Sequence, residues 1–301
     1  MPEFNESKLT DEVIASFQTT ADPRLKYLMT ELVRSLHDYV RRTDLTFEEW
    51  TQAIDFLTRT GQTCTPTRQE FILLSDVLGV SMLVDAINHR EREGSTETTV
   101  LGPFYVGEHK PLPSGADISE GIEGEPMFVS CRLTDLSDKP LQGARVDVWH
   151  ADDDGFYDSQ KSDYATSGPS LRARFAPDAE GRVFFRTILP CSYPIPTDGP
   201  VGDLIRLSGR HPMRPAHIHF LVDAPGFDPL ITHVFIDGDE YLHSDVVFGV
   251  KPELIAKVER RTDGVMPDGK PIDRPWHLMT YDFRLRPGTK NAPRPMMAAA
   301  E

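Results

Sequence analysis

The sequence predicts an α+β protein in which an N-terminal helical region precedes a β-sandwich. Three of the 25 prolines fall before residue 95, and the other 22 follow it. Proline breaks helix interiors and belongs in turns and at strand edges, so the first third is predicted to be helical and the remainder β-rich. The predicted domains are residues 1–95 for the helical region and 96–286 for the sandwich. Residues 287–301 lack periodicity and are predicted to form a disordered tail.

Two helices of the first third begin at recognisable capping signals. Asp22 followed by Pro23 is typical of an N-cap with proline at the first helical position, and apolar residues then recur at helical spacing over 25–40. Thr46 with Glu49 has the spacing of a capping box, in which each side chain accepts the backbone N–H of the other residue. These signals predict one helix after each cap.

A third helix is predicted from Phe71 to Ile87, opened by Thr67 and Glu70. This apolar segment also contains Asp76 and Asp85. A buried acid needs a polar partner, so one of the two could face a cavity. The alternative is that both acids lie on the solvated side of the helix, and the pattern alone leaves both interpretations open.

Beyond residue 126 the pattern becomes strand, turn, strand. The segments are short, rich in β-branched or aromatic residues and separated by Gly, Pro and Asp, which is typical of a β-sandwich rather than of a parallel sheet with crossover helices. The predicted strands are Met127–Leu133, Arg145–Trp149, Arg182–Ile188, His217–Val222, Leu230–Ile236 and Met279–Leu285.

Charge and composition exclude several classes of partner. The net charge of −15 argues against nucleic acid and against anionic membranes, because both require a basic surface. The three cysteines, Cys64, Cys131 and Cys191, form no CxxC pair, so neither a disulfide framework nor a thiolate zinc site is indicated. The N-terminus has no apolar export segment, and nowhere do eighteen apolar residues run together. The chain is predicted to be cytoplasmic.

The most informative short motif is Arg-Pro-Ala-His-Ile-His-Phe at residues 214–220. Residues two apart in a strand share a face, so His217 and His219 can present two imidazoles to one point. Two histidines on a solvent-facing strand would give the same pattern, so the motif alone is not specific. His233 is the first candidate for a third ligand if the metal is zinc, and His150 and His243 are candidates for outer hydrogen-bonding partners.

Two tyrosines lie in loops that leave predicted strands. Tyr157 follows the acidic turn at 152–154, and Tyr193 follows the strand that ends at Ile188. Functional side chains are commonly held in such loops, but a loop tyrosine is usually a packing residue. Tyr164 lies in the same region and is an equal candidate on position alone.

Taken together, these segments resemble the intradiol ring-cleavage dioxygenases, non-heme ferric enzymes that open catechols between the two hydroxylated carbons. The resemblance runs in order over about two thirds of the chain. Its matching segments are Leu101–Tyr105, Val146–Ala151, Gly155–Tyr157, Arg186–Pro190 and Gly209–His219. Within the family, residues 152–158, 193–202 and 244–251 are more similar to hydroxyquinol 1,2-dioxygenases than to catechol or chlorocatechol enzymes.

The resemblance implies one Fe³⁺ per subunit, held by Tyr157, Tyr193, His217 and His219. Fe³⁺ is a hard cation that favours anionic oxygen, and two tyrosinates with one hydroxide would leave the centre formally neutral. The resemblance further implies that Tyr157 stays bound, that Tyr193 leaves the metal and acts as a base, and that Arg214 stabilises carbanion character on the ring.

The implied substrate is hydroxyquinol (benzene-1,2,4-triol), and the implied product is 3-hydroxy-cis,cis-muconate or its tautomer maleylacetate. The resemblance also implies a homodimer formed through the helical region, with a phospholipid in an apolar tunnel. Asp76 is the candidate acceptor for the third hydroxyl. The other residues expected around the substrate ring are Leu73, Val100, Leu101, Gly102, Pro103, Phe104, Ile195, Pro196, Arg214 and Val247.

Three alternatives stay open at this point. A zinc hydrolase would use His217, His219 and His233, which leaves the two tyrosines without a role. A non-catalytic β-sandwich binding module would carry these histidines as ordinary strand residues. Within the enzyme family, the alternative is a catechol or chlorocatechol 1,2-dioxygenase that gives a cis,cis-muconate.

Overall fold

A computed structural model describes residues 6–65, 68–90, 94–107, 109–161 and 168–288. The chain forms two compact units, Met1–Arg59 and Thr60–Glu301. The predicted α+β class is confirmed, because helices occupy the N-terminal part and strands dominate after residue 126. Thr67, Tyr164 and most of the tail predicted to be disordered lie outside the described residues.

The N-terminal helices begin where their capping signals predict. Helix α2 spans Pro23–Thr43, and the Asp22 carboxylate accepts the backbone N–H groups of Arg24 and Leu25. Helix α3 spans Phe47–Thr63, preceded by the reciprocal Thr46–Glu49 hydrogen bonds of a capping box. Helix α1, Glu6–Ser16, precedes both and was not predicted.

The third predicted helix is in fact two, so the prediction of one continuous helix from Phe71 to Ile87 is wrong. Helix α4 spans Glu70–Val77 and helix α5 spans Val80–Asn88. Gly79 separates them with a φ of 72°, a left-handed conformation that ends α4 and that glycine adopts without steric cost. Asp76 and Asp85 are both buried, at 3% and 9% exposure, so the solvated interpretation of these acids is also wrong.

The β-rich part contains two larger sheets and a two-stranded ribbon among the described residues. One sheet has the strand order β10-β11-β1-β4, the other has the order β3-β2-β7-β8-β9, and β5 pairs with β6. The strands are β1 Pro126–Asp135, β2 Arg145–Trp149, β3 Arg172–Phe175, β4 Arg182–Ile188, β5 Tyr193–Pro194, β6 Met213–Arg214, β7 His217–Asp223, β8 Leu230–Ile236, β9 Ile255–Ala256, β10 Val258–Arg261 and β11 Trp276–Leu285.

The main hydrophobic core is built from inward-facing residues of both sheets. It includes Val129 and Phe185 from the four-stranded sheet and Val146, Phe220 and Val234 from the five-stranded one. All five are fully buried, as expected where two sheets pack face to face. The predicted β-sandwich is therefore confirmed, and the bounds of β2, β4 and β8 agree with the prediction residue for residue.

Sequence patterns did not reveal the short elements. Strands β3, β5, β6, β9 and β10 have two to four residues each, too few to show a period of two. Helix α6, Pro200–Leu207, has a proline at its first position and was not predicted. No helix in the described ranges has the length and apolar character needed to cross a bilayer. The cytoplasmic location stays a prediction.

Candidate metal centre and substrate cavity

Strand β7 presents His217 and His219 to the interior on one face. Both side chains are buried, at 2% exposure each. In the sheet register His219 stands between Trp149 of β2 and His233 of β8. The Trp149 ring stacks on the His219 imidazole with centroids 4.7 Å apart and planes 14° apart. The sheet thus fixes the direction of His219 from both sides.

Tyr157 and Tyr193 approach the same point from two other segments. Tyr157 follows β2 and the acidic turn, in which the Asp152 carboxylate accepts the backbone N–H of Phe156. Tyr193 begins β5. Gly155 lies where the two segments meet, because a Cβ at this position would stand 2.5 Å from Cβ of Tyr193. Its φ of 84° also requires glycine, so this turn sets the spacing of the two tyrosines.

Two phenol oxygens and two imidazole nitrogens converge. The Tyr157 oxygen lies 2.7 Å from Nε2 of His219, 3.4 Å from Nε2 of His217 and 3.0 Å from the Tyr193 oxygen. The two Nε2 atoms are 3.2 Å apart. Neighbouring ligands around one metal ion, with bonds of about 2.1 Å, lie roughly 3 to 3.4 Å apart. The cluster therefore has dimensions that fit a single metal ion.

The histidine tautomer also fits metal binding. Nδ1 of His217 donates a hydrogen bond to the Pro215 carbonyl oxygen at 2.6 Å. With the proton on Nδ1, Nε2 carries a lone pair that faces the Tyr157 oxygen and Nη1 of Arg214, and such a tautomer is common among metal-binding histidines. Nδ1 of His219 is buried without a partner among the described residues, so its ring is oriented by Trp149 instead.

His233 lies beside the cluster. Ligand atoms of His217, His219 and His233 all lie within 4.8 Å of one another, so these three histidines could also hold a metal ion. Nδ1 of His233 is 2.8 Å from the Thr99 hydroxyl. His150 is buried and bonded to Thr187, and His243 is exposed, so the expectation of a role for His243 near the β core is wrong.

Burial keeps the four candidate ligands uncharged. It raises the pKa of the Tyr157 phenol well above its usual range, and the neighbouring Tyr193 adds to this shift. Burial likewise raises the pKa of Tyr193, although Arg214 opposes the shift. Burial lowers the pKa of both imidazoles far below the usual value. A bound cation would oppose these shifts at the phenols, because it stabilises the phenolate form.

Arg214 is a buried cation at the edge of the cluster. Strand β6 pairs it with Tyr193 of β5, and its Nη1 lies 3.3 Å from Nε2 of His217. Its Nε and Nη2 donate to the Asp245 carboxylate at 3.1 and 3.3 Å. Burial opposes the charge, yet the Asp245 carboxylate raises the pKa of Arg214 above its usual value. Gly249 leaves room for this pair, because a Cβ there would stand 3.2 Å from Nη2.

A cavity of about 570 Å³ opens next to the tyrosines. Five residues expected at the substrate ring line it, namely Leu73, Pro103, Phe104, Ile195 and Pro196. The Phe104 ring also stacks on Tyr157, with centroids 4.4 Å apart.

The remaining expected residues surround the cavity without lining it. Val247 packs in one apolar cluster with Leu73 and Ile195, and Leu101 packs against the cluster that contains both tyrosines. Gly102 lies against His219, since a Cβ there would be 3.2 Å from Cε1 of that ring. Val100 is half-buried in the same segment.

Asp76 is a buried carboxyl group close to this wall. Burial raises its pKa to about 6, although a hydrogen bond from Ser81 and the charge of Arg214 act in the opposite direction. Its Oδ1 has no hydrogen-bond partner among the described residues. A buried carboxylate oxygen without a partner is costly, so Asp76 is available to a polar ligand group.

Sequence reasoning missed several residues that hold the cluster in place. Asp245 orients Arg214, Trp149 orients His219, and Thr99 orients His233. Trp149 was detectable, because a tryptophan at the end of a buried strand must pack against a neighbouring strand. The contact between Asp245 and Arg214 joins residues 31 apart and had no local signal.

Comparison with known proteins agrees with this geometry. Residues 102–287 match the family model described as "Dioxygenase", and residues 22–96 match "Catechol dioxygenase N terminus". A 6-chlorohydroxyquinol 1,2-dioxygenase of Cupriavidus pinatubonensis is 48% identical over 95% of this chain and 99% of its own. A hydroxyquinol 1,2-dioxygenase of a Rhizobium species is 50% identical over 86% of this chain and 88% of its own.

Among solved structures, hydroxyquinol 1,2-dioxygenase from Pseudomonas putida DLL-E4 superposes with a TM-score of 0.87 at 44% identity, covering 94% of this chain and 99% of that one. Matches of this extent cover both the helical and the β-rich parts. The chain therefore belongs to the intradiol ring-cleavage dioxygenase family.

Proposed function

We propose that this protein cleaves hydroxyquinol between its two adjacent hydroxylated carbons with O₂, giving 3-hydroxy-cis,cis-muconate or its tautomer maleylacetate. The observation that carries the proposal is the convergence of two phenol oxygens and two imidazole nitrogens beside a cavity of about 570 Å³. Relatives named as hydroxyquinol dioxygenases at 44–50% identity support the choice of substrate.

One Fe³⁺ per subunit, held by Tyr157, Tyr193, His217 and His219, is the proposed cofactor. Two phenol oxygens favour a hard trivalent cation over zinc, because phenolate is a hard anionic ligand. Zinc bound by three histidines would use His217, His219 and His233, which lie close enough to share an ion, but it would leave the two phenol oxygens without a role. When bound, the ferric ion supplies Lewis acidity that draws electron density from the substrate diolate.

The two tyrosines have different proposed roles. Tyr193 is paired with Arg214 in the β5–β6 ribbon, directly before cavity-lining Pro194, and the charge of Arg214 opposes the burial that raises the pKa of its phenol. Tyr193 is therefore the proposed acceptor for a proton of the substrate diol. Tyr157 is fully buried, stacked on Phe104 and bonded to His219. Because its burial and these two contacts hold it in place, Tyr157 is the proposed permanent ligand.

Arg214 is proposed to stabilise negative charge that develops on the ring during attack by O₂. A cation held before the reaction begins needs no reorganisation when charge appears, which is the basis of electrostatic catalysis. The Asp245 carboxylate holds the guanidinium by two hydrogen bonds. Because Arg214 and Asp245 are both about 5% exposed, little solvent screens this charge.

Asp76 is proposed to accept a hydrogen bond from the third hydroxyl of hydroxyquinol. The carboxyl group is buried, has a free Oδ1 and lies on α4, the helix that also carries Leu73 of the cavity wall. Catechol lacks the third hydroxyl and would leave Asp76 without that partner. The remaining proposed substrate contacts are Val100, Leu101, Gly102, Pro103, Phe104, Ile195, Pro196 and Val247.

The helical region 1–95 is proposed to form a homodimer and to hold a phospholipid, with 96–286 as the catalytic domain. One face of helix α2 carries three leucines that are each 47–53% exposed, Leu28, Leu32 and Leu36. A contiguous exposed apolar stripe of this kind marks an interaction surface. Light scattering should give the mass of a dimer for the wild type and a lower mass for Leu32→Glu. Extraction of the protein with organic solvent should release lipid. A monomeric wild type would overturn the proposed dimer.

Oxygen uptake with hydroxyquinol, catechol and 4-chlorocatechol, measured side by side on iron-loaded protein, tests the function. Hydroxyquinol is expected to have the highest kcat/KM, and a preference for catechol or 4-chlorocatechol would favour the corresponding dioxygenase. Metal analysis separates the other classes. A red iron protein supports the proposal, a colourless zinc protein would favour a hydrolase, and a metal-free protein without uptake would favour a binding module.

A further inference from the structure

The outer wall of the substrate cavity is a loop between β5 and α6. Ile195 and Pro196 come directly after β5, which ends at Pro194, and line the cavity, and helix α6 begins four residues after Pro196, at Pro200. The opposite wall includes Leu73 of helix α4. The width of the cavity therefore depends on how this loop is held against α4.

A buried carboxylate at the start of α4 holds the far end of the loop. Glu70 is 1% exposed, and its Oε1 accepts the backbone N–H of Val201 at 3.2 Å. Helix α6 receives no side-chain cap from its own N-cap residue, Gly199. Glu70 thus satisfies an N–H group in the first turn of α6, from another helix, and places negative charge where a helix favours it.

Arg68 joins this carboxylate to the middle of the loop. Its Nε and Nη2 donate to Oε2 of Glu70 at 3.1 and 2.9 Å. Its Nη1 and Nη2 donate to the two carboxylate oxygens of Asp198 at 2.8 and 2.9 Å. A planar guanidinium in such a paired arrangement fixes orientation as well as distance, which a lysine could not reproduce.

The backbone shows that the fit is tight. A Cβ on Gly199 would stand 2.4 Å from Oε1 of Glu70 and 2.8 Å from Nη2 of Arg68. A Cβ on Gly202 would stand 2.3 Å from the Thr197 carbonyl oxygen. A side chain at position 199 would therefore displace the end groups of Glu70 and Arg68, and one at position 202 would collide with the loop backbone.

We propose that Arg68, Glu70 and Asp198 form a clamp that positions the Ile195–Pro196 wall and so sets the affinity of the cavity for the substrate ring. The proposal rests on the proposed function for the identity of the ring. The clamp contains none of the candidate metal ligands. Loosening it changes ring binding and leaves the metal centre intact.

The test compares Arg68→Met and Asp198→Asn with the control Arg182→Met. Arg182 is exposed and pairs with Asp178 and Glu180 on the surface of β4, so the control removes a similar charge elsewhere. Each clamp variant is expected to raise KM for the triol about fivefold with kcat little changed. The double variant should resemble Arg68→Met alone, because that substitution already removes the contact with Asp198 together with the contact with Glu70.

Salt gives a second kinetic readout. Arg68 and Asp198 are partly exposed, at 30% and 73%, so salt should screen their attraction. The substrate ring carries no charge, so salt does not act on its attraction to the cavity directly. Raising ionic strength should therefore raise KM in the wild type and the control and have no such effect in Arg68→Met.

Hydrogen exchange of the amides in 196–201 measures the clamp without turnover. Exchange is expected to speed up in Arg68→Met and not in Arg182→Met, with iron content and visible absorption unchanged in both. Unchanged exchange, or faster exchange with KM equal to that of the control, would overturn the clamp. A wild type that cleaves neither triol nor catechol would overturn the proposed function instead, and the exchange data would still decide whether the clamp exists.

Discussion

The phenol oxygen of Tyr157 lies 2.7 Å from Nε2 of His219, although the two residues are 62 positions apart and both are buried. The contact joins a loop after β2 to the middle of β7. Burial leaves the Tyr157 phenol and the His219 imidazole uncharged. A cation is therefore the expected partner for the lone pairs of the phenol oxygen and of Nε2.

Tyr157→Phe and His219→Ala should therefore lose iron and colour. Removing a residue that only hydrogen-bonds to a metal ligand typically lowers metal affinity by about 10- to 100-fold. Removing a ligand itself should lower the affinity at least as much, so we expect about a tenth or less of the wild-type iron content. Tyr105→Phe is the matched control, because its hydroxyl bonds to Asp147 instead of the cluster. Full iron content in Tyr157→Phe or His219→Ala would contradict the ligand assignment.

Arg214→Ala should retain iron and lose turnover. Removing one preorganised charge or donor typically lowers kcat by about 10²- to 10³-fold. Asp245→Asn should have a smaller effect in the same direction, because the guanidinium remains and only its orientation relaxes. Metal analysis and steady-state kinetics on both variants check this, and unchanged kcat in Arg214→Ala would remove its proposed role.

Asp76→Ala should reduce kcat/KM for hydroxyquinol more than for catechol. A hydrogen bond to a charged group contributes about 1.5–3 kcal/mol, which corresponds to roughly 10- to 100-fold for the triol alone. Burial raises the pKa of Asp76 to about 6, so its carboxylate form appears as pH rises through that value. The triol-to-catechol ratio of kcat/KM should accordingly rise between pH 5 and 7 (about one pH unit either side of this pKa) in the wild type and stay flat in the variant. Equal losses on both substrates would reject the contact.

The buried carboxyl group of Asp76 is also expected to lower the free energy of unfolding. The usual pKa of an aspartate carboxyl group is 3.8, and the pKa of Asp76 is about 6 in the folded protein, so the folded state binds the proton more tightly. Stability is therefore lost as pH rises from about 4 to 6 and stays reduced above that range. Asp76→Asn should raise the free energy of unfolding at pH 8 by up to about 3 kcal/mol, and by much less at pH 4. Denaturant unfolding at both pH values measures this; an equal effect at both would mean that folding does not shift the pKa of Asp76.

Much of the fold was predictable because its signals are local. Capping residues marked α2 and α3, and short segments of β-branched and aromatic residues between turn residues marked β2, β4 and β8. The break at Gly79 was missed because an apolar pattern continues across it. The strand of His217 and His219 was predictable in the same way, since two-residue spacing places both rings on one face.

The rest of the site depends on contacts between distant segments. The sequence alone could not rank Tyr157 above Tyr164, because loop position is shared and the choice came from family resemblance. Asp245 and Arg68 act through pairs that join residues 31 and 130 apart. Such contacts are set by the packing of the sheets and loops, which has no period in the sequence.

Oxygen uptake by the iron-loaded protein with hydroxyquinol, followed by identification of the product, tests the proposed chemistry most directly. We expect one O₂ consumed per triol and a ring-opened dicarboxylic acid that contains all six carbons, from a red protein with one iron per subunit. Absence of uptake with iron bound, or full activity of a colourless zinc-loaded protein, would contradict it.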